Sequence, residues 1–356
     1  MNKTLVISPS GKMYGSEQVL LDFLKSTKNS YVVAVPKGSI YEGKLNKLPQ
    51  HKIIGFQKVI FLYVKVLFLL FRNKITTVYV NEGGHIKYIK KLAEIFPKKK
   101  FVVHIRLVED TKHERIGQNL PDNIKLICVS EFIANEIINN HPKPAKIRKN
   151  VKAIWDAYNI QLQEKVPFFN MYDVISIGVV GRVCAAKGVS KILSICQYWE
   201  EEVKKDIEFN FFGDVVEDDH QVKRLRKEAE NFNFVKLKFH GFVKRKEDIY
   251  GKVNMIIHFN NKEPFPRISF ETISFGIPLI SFNDGGVGEQ AKIMEIQRFM
   301  CENVENWEKE MASIIQWVQK NETTVEDIIK EAKGRINTEL SQEKYNRNLE
   351  GCFNLE

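Results

Sequence analysis

Short apolar runs rich in Val, Ile and Phe alternate with stretches of helical period along nearly the whole chain. Strands joined through helices run parallel, and a parallel sheet is covered on both faces, so this alternation restricts the chain to an α/β fold of doubly wound units. In the first half, strands are predicted at residues 4–7, 31–35, 75–80, 101–105 and 124–129, with helices between them. A chain of 356 residues is too long for one ordinary core, and 44% apolar content can bury two. A polar stretch at 159–170, interrupted by Pro167, is the natural linker. The first domain is therefore expected at 1–160, the linker at 161–171, and the second domain from 172. There is no internal repeat and no low-complexity tract.

The segment EPFPRISFE, residues 263–271, is the hardest to explain as ordinary core. An apolar strand at 255–259 precedes it, and Pro264 and Pro266 then remove backbone donors and fix φ, which delivers Glu263 to the edge of a sheet. Residues 268–275 have helical period, with Ile268, Glu271 and Thr272 on one face, and stop before Gly276 and Pro278. Glu271 thus lies about one turn inside a helix whose N-terminus offers free N–H groups and a positive dipole end, suited to a phosphate. Its carboxylate can accept two hydrogen bonds from a diol. Taken singly, Glu263 is a solvated loop acid and Glu271 a surface helix acid. Together, with Asp284, Gly285 and Gly286 close behind, they are the parts a nucleotide-sugar site needs.

The segment resembles the E-x7-E signature of retaining GT-B glycosyltransferases of family 4, the glycosyl transferases group 1, usually written E-P-F-G-x4-E. Residues 177–193, IGVVGRVCAAKGVSKIL, resemble the strand with G-R and K-G that opens the second domain of that family. Gly213 and Asp214 after a strand at 209–212 resemble its G-x-G turn, and His240, Gly241 and Phe242 its short glycine-containing strand. The similarity covers nearly all of the second half and, more weakly, the first. It implies a GT-B architecture of two doubly wound Rossmann-like domains facing an interdomain cleft, with an acceptor-side domain at 1–160 and a nucleotide-sugar-binding domain at 172–338. The last segment, 339–356, resembles the family's closing helix, which packs back on the first domain.

By the same resemblance, Glu263 contacts the transferred sugar near the reacting centre and Glu271 holds the ribose hydroxyls. Backbone amides from Phe265 through Pro266 and Arg267 to Ile268 help to fix sugar and diphosphate. Arg182 and Lys187, in the pattern G-R-x4-K, match its phosphate-binding pair. In the first domain, Gly15 in the loop SPSGKMYGSEQ corresponds to the family's glycine loop near the donor phosphates, although a plain turn explains a single glycine loop equally well. His104, at the end of a predicted strand, stands where many relatives place a histidine near the sugar; a lone His is more often structural. Two departures stand out. Pro266 replaces the usual glycine and removes a donor, with Arg267 adding a cation beside it. Asp156 and Ala157, in IWDAYN, replace an Asn and a Gly at the approach to the hinge.

Charge is divided unequally. Residues 1–165 carry 28 Lys and Arg against 13 Asp and Glu, a net of +15, while residues 166–356 carry 26 against 31, a net of −5. Whatever the first domain meets is expected to be anionic. The run 59–71 is apolar except for Lys65, and Lys58, Lys65 and Arg72 lie seven apart, in one stripe of a greasy helix. It is too short to span a bilayer, which needs about 20 residues. The first expectation is a buried element of the α/β domain, and the alternative is a helix lying in a membrane surface with its lysines towards anionic headgroups. A second basic stretch, 85–100, has Ile89, Leu92, Ala93 and Phe96 on one face and ends in three lysines. Nucleic acid is not the expected anion, because helix-turn-helix, zinc-finger and RNP spacings are all missing.

The resulting expectation is an enzyme that moves a sugar from a nucleotide-diphosphate donor to a hydroxyl acceptor, a glycan or lipid-linked glycan, with retention of configuration, in bacterial surface polysaccharide or glycoconjugate synthesis. A non-catalytic GT-B subunit that stabilises a partner transferase is the alternative, and a nucleotide-sugar epimerase the third reading. No cofactor and no metal are expected. Cys128, Cys184, Cys196, Cys301 and Cys352 lack C-x-x-C spacing and read as reduced thiols. The chain opens directly on a strand pattern without a secretory signal, so a cytoplasmic location is expected, peripheral to the inner face of the cell membrane if the basic domain meets lipid.

Overall fold

A computed structural model of the chain describes residues 4–159, 174–260, 262–302 and 304–353. The chain divides into two compact units, Met1–Tyr158 with Leu340–Glu356, and Asn159–Glu339. The predicted linker, 161–171, and the predicted start of the second domain at 172 lie outside the described residues.

The first unit is built on a parallel sheet of seven strands: β1 (Thr4–Ile7), β2 (Val32–Pro36), β3 (Lys52–Phe56), β4 (Thr77–Val80), β5 (Lys100–Ile105), β6 (Ile124–Cys128) and β7 (Val151–Ala153). Their spatial order is β3-β2-β1-β4-β5-β6-β7. The interior strands are apolar on both faces, with β1 and β4 buried at every position, as parallel strands covered by helices require. Each of the five predicted strands is present, with ends shifted by no more than two residues. The sequence reading missed β3 and β7, which are the two edges of the sheet. An edge strand has one neighbour and is half covered, so β3, reading KIIGF with Lys52 and Gly55 exposed, carries no continuous apolar run.

The second unit holds six parallel strands: β8 (Ile175–Val180), β9 (Ile207–Phe212), β10 (Val235–Gly241), β11 (Met255–His258), β12 (Leu279–Phe282) and β13 (Met300–Cys301), in the order β10-β9-β8-β11-β12-β13. In each sheet the winding reverses once, between β1 and β4 and between β8 and β11. At such a point the loops leaving two adjacent strands turn to opposite faces and leave a crevice at the C-terminal ends.

The last helix, Gln342–Gly351, belongs to the first unit. Tyr345, Leu349, Cys352 and Phe353 are buried in one cluster with Phe23, Tyr31, Tyr79 and Val102. The Phe353 ring lies 5.3 Å from Tyr79 and 5.8 Å from Tyr31 between centroids, and the Thr77 hydroxyl donates to the Phe353 carbonyl at 2.9 Å. Burying a ring of this size stabilises the unit by about 1.5–3 kcal/mol.

One expectation needs correction. The helix Val59–Phe71 is buried on one face only: Leu62, Tyr63, Val66 and Leu70 point inward, while Ile60, Phe61, Val64, Phe68 and Phe71 are each more than half exposed. An apolar run without a polar face carries no sign of which side meets the core. The basic stretch 85–100 buries its apolar face as expected, with Ile89, Leu92 and Ala93 covered. Its helix is Ile86–Ile95, and Lys100 opens β5. No helix among the described residues is long and apolar enough to cross a membrane.

Candidate active site

In the second unit, the crevice lies past the ends of β8 and β11. β11 is an interior strand, and Glu263 stands in the loop beyond its C-terminal end. Three side chains converge on its carboxylate. The Lys187 ammonium donates to Oε1 at 2.8 Å, His258 Nε2 donates to Oε2 at 3.1 Å, and the Asn260 amide donates to Oε1. Burial alone would raise the pKa of this carboxyl. The His258 and Lys187 contacts outweigh it and pull the pKa down to about 2. Glu263 is therefore an ionised acceptor and not a proton donor near neutral pH.

Local packing explains the pattern around it. Lys187 ends a short turn after β8, and Gly188 begins the helix Val189–Tyr198 at φ 77°. A Cβ on Gly188 would lie 2.6 Å from the Phe259 carbonyl oxygen, so only glycine lets this turn close against the end of β11. Gly286 has the same function on the other side. Its N–H donates to the Glu263 carbonyl at 2.8 Å, and a Cβ there would come 2.1 Å from the Pro264 oxygen. The glycines thus clamp the Glu263 loop from both directions, and Gln290 Nε2 donates to the Pro266 carbonyl at 3.0 Å.

Arg182 follows Gly181 at the end of β8; it is exposed and has no side-chain hydrogen bond or ion pair among the described residues. The Gly181 N–H donates to Phe212 at 2.9 Å and the Gly213 N–H to Gly241 at 2.8 Å, tying the ends of β8, β9 and β10 together. Arg182, Lys187, His258 and Asn260 line one small pocket.

The helix Arg267–Ser274 starts one residue earlier than predicted, with Pro266 as its N-cap in an extended conformation. Phe265, Pro266 and Ile268 are partly covered and Arg267 is exposed. Glu271 lies in the second turn, with Lys246 Nζ at 2.8 Å and Arg267 Nε at 3.9 Å. Lys246 comes from the loop after β10.

The first-unit candidates are placed differently. Gly15 is the exposed first residue of the helix Gly15–Ser26, where Glu17 caps the Tyr14 N–H at 3.2 Å. His104, on β5, is fully buried. Its Nδ1 lies 2.9 Å from the Tyr79 hydroxyl and 3.3 Å from Arg106 Nη2. Burial and the Arg106 charge hold its pKa well below the usual histidine range. Arg106 in turn donates to Asp156 at 2.6 Å and to Asn81 at 3.3 Å. Asp156 is thus the counter-ion of a buried arginine, which explains an acid where the family pattern has Asn.

The structure therefore brings Glu263 and Lys187 into contact, with Arg182 lining the same pocket, places Glu271 on the following helix, and puts His104 and Gly15 in the other unit. Sequence reasoning missed His258, Asn260 and Lys246. His258 and Asn260 come five and three residues before Glu263, and their role depends on the turn that folds them back. All five cysteines are buried and free. Among the described residues no group of three or more His, Cys, Asp or Glu is arranged to hold a metal ion.

Residues 164–335 match the family model described as glycosyl transferases group 1. A comparison with curated proteins finds no match. Among solved structures, HepE of Anabaena, in complex with UDP and glucose, superposes with a TM-score of 0.72 at 17% identity, over 99% of each chain. The lipopolysaccharide outer core galactosyltransferase WaaB, in its apo form, gives 0.72 at 16% identity over 99% of each chain. TarM of S. aureus, in complex with fondaparinux, α-GlcNAc-glycerol and UDP, gives 0.64 at 10% identity over 99% of this chain and 100% of its own. The chain has the two-domain fold of the GT-B glycosyltransferases, and residues 164–335, which make up nearly all of its second unit, carry the match to glycosyl transferases group 1.

Proposed function

We propose that this protein transfers a sugar from a nucleotide-diphosphate donor to a hydroxyl acceptor with retention of configuration. The observation that carries the reading is the Glu263 carboxylate, held ionised by Lys187, His258 and Asn260 beside the exposed Arg182 at a topological switch point. Cleavage of a sugar–diphosphate bond leaves negative charge on the phosphate, and cations aimed at it lower the barrier. Arg182 offers for this purpose a guanidinium with no side-chain partner among the described residues. Lys187 has three N–H donors and can keep Glu263 while turning another to a phosphate oxygen.

Glu263, as a fixed carboxylate, would accept hydrogen bonds from sugar hydroxyls and favour the positive charge that develops at the anomeric carbon. Glu271 would take the ribose diol, releasing Lys246 or sharing it. Phe265 to Ile268 would contribute backbone N–H groups, except at Pro266, and the Arg267 guanidinium stands at the same helix N-terminus. In the first unit, Gly15 is the residue proposed to reach the donor, and His104, fully buried against Tyr79 and Arg106, would act only through those neighbours. Assembly of a bacterial surface polysaccharide or related glycoconjugate would use such a transfer, with a glycan or lipid-linked glycan as acceptor. The leaving-group charge is assigned to protein cations, without a divalent ion. UDP-sugars are the first donors to try, since UDP or UDP-glucose is bound in HepE and UDP in TarM.

Calorimetric titration with UDP-, GDP-, ADP-, TDP- and CMP-sugars tests the reading without knowledge of the acceptor. Selective binding of one donor, weakened in Arg182→Ala and Glu271→Ala, is expected. No binding across the panel would overturn the donor site, and conversion of the donor without any acceptor would assign an epimerase instead.

A further inference from the structure

Among the described residues, the outer face of the helix Val59–Phe71 gathers more exposed large hydrophobic side chains than any other element. Of the large hydrophobic side chains that lie exposed among the described residues, Ile60, Phe61, Val64, Phe68 and Phe71 all come from this single helix. At 100° per residue they fall in one stripe, and Lys58, Lys65 and Arg72 form a row along one border of it. The neighbouring helix Ile86–Ile95 extends the face: Ile95 is exposed, and Phe96 packs edge-on against Phe71 at 4.9 Å. Arg72 lies over the Phe68 ring at 4.1 Å, so its guanidinium stays at the border of the apolar stripe.

Charge in the segment that carries this helix has one sign. Between Glu42 and Glu82 the sequence contains no Asp or Glu, yet it includes Lys44, Lys47, Lys52, Lys58, Lys65, Arg72 and Lys74. A second copy meeting it through this helix would bring the same cations and no carboxylate from residues 43–81, which disfavours self-association through the helix. The outward side chains also offer no directional hydrogen-bonding group apart from the cations. A bilayer surface asks for neither a complementary pocket nor directional bonds; it takes apolar side chains at the acyl boundary and ammonium or guanidinium groups at the headgroup phosphates.

We propose that the outer face of helix Val59–Phe71 docks this protein on an anionic lipid bilayer, with Phe61, Phe68 and Phe71 entering the acyl boundary and Lys58, Lys65 and Arg72 at the headgroups. The helix lies in the surface plane and does not cross. This docking is independent of the transfer reaction, and its failure would leave the donor site untouched.

The test is co-sedimentation of the purified full chain with two vesicle types, phosphatidylcholine alone and phosphatidylcholine containing about one-quarter phosphatidylglycerol, at about 50 mM and about 500 mM salt. The wild-type chain is expected to bind the anionic vesicles, and binding should weaken with salt. Lys58→Gln/Lys65→Gln/Arg72→Gln should bind both vesicle types equally poorly. Phe61→Ser/Phe68→Ser should lose about tenfold in partition and the remainder at high salt. All replaced side chains are exposed, and unchanged thermal unfolding checks the fold of each variant. The variant Val64→Trp supplies an independent readout, since the indole emission it adds should shift to the blue on anionic vesicles. Absence of wild-type binding, charge or Phe variants that bind like wild type, or an unshifted emission from the Val64→Trp variant would overturn the proposal. A dimer in solution that Phe61→Ser/Phe68→Ser dissociates, without vesicle binding, would overturn it in favour of a second copy.

Discussion

Past β8 and β11 the second unit leaves its charges within reach of water, whereas past β4 and β5 the first unit seals them in. The Lys187 and Glu263 side chains are 40% and 23% exposed, and Arg182 beside them is open. Arg106 is 9% exposed and His104 not at all. Both clusters stand at the C-terminal rim of a parallel sheet, so topology alone does not distinguish them. Burial does. A half-solvated ion pair has lost little hydration and can be re-paired with an incoming phosphate, whereas a sealed pair is committed to the chain that encloses it. The Arg106 network joins Asn81, His104 and Asp156, and so fixes the segment leading out of β7 to the central strands.

Glu263→Gln should separate the two most sharply. It removes the charge but keeps the shape, and transfer should fall by about a thousandfold or more while the thermal midpoint stays within a few degrees. A large loss of stability would place Glu263 with the sealed cluster. Arg106→Met should do the reverse. It leaves Asp156 without its partner in a mostly covered site and should cost about 3 kcal/mol in urea unfolding, with donor affinity nearly unchanged. A smaller step is expected at Glu271→Ala, where nucleotide binding should weaken by about tenfold through loss of a charge-assisted diol contact. Lys246→Ala should change that affinity by less, as Glu271 would keep Arg267 nearby; equal losses would make Lys246 a ligand contact in its own right.

Acid should reach the two clusters in different windows. A neutral buried His104 has a folded pKa below its unfolded value of about 6.5, so the unfolded chain takes up the proton first and stability falls as pH drops below that value. Glu263, depressed to about 2 when folded, contributes fully above the unfolded carboxyl pKa of about 4.3 and loses that contribution as pH falls further. Urea unfolding followed from neutral pH downward should show the early loss reduced in His104→Gln and the later loss reduced in Glu263→Gln. Identical pH profiles for both variants and wild type would refute the assignment of either group to acid sensitivity.

The sequence made the interior strands and the Glu263 to Glu271 segment legible because each leaves a local mark. β1, β4 and β5 are continuous apolar runs, and the acids, prolines and glycines of the loop after β11 lie within a short stretch. What escaped was set by distant contacts. β3 and β7 are edge strands whose half-covered residues look like loop, and β13 is buried but only two residues long. His258 and Asn260 acquire meaning only when the turn after β11 folds them onto Glu263, and Lys246 only when the loop after β10 reaches the helix Arg267–Ser274. The helix Val59–Phe71 misled for the opposite reason: an apolar sequence shows that a face can be buried, and says nothing about whether the protein supplies the cover.

The burial of Phe353 and the helix Gln342–Gly351 among Phe23, Tyr31 and Tyr79 also has a consequence in time. On the ribosome a chain emerges from its N-terminus, and domains generally fold as they appear. Here the second unit, Asn159–Glu339, is synthesised whole before the residues that complete the first unit's core exist. The first unit must therefore wait, with an open apolar groove beside β1, β2 and β4, while the later unit closes. A nascent chain arrested before Leu340 should contain a folded second unit and a first unit that is protease-sensitive, an inversion of the order in which they were made.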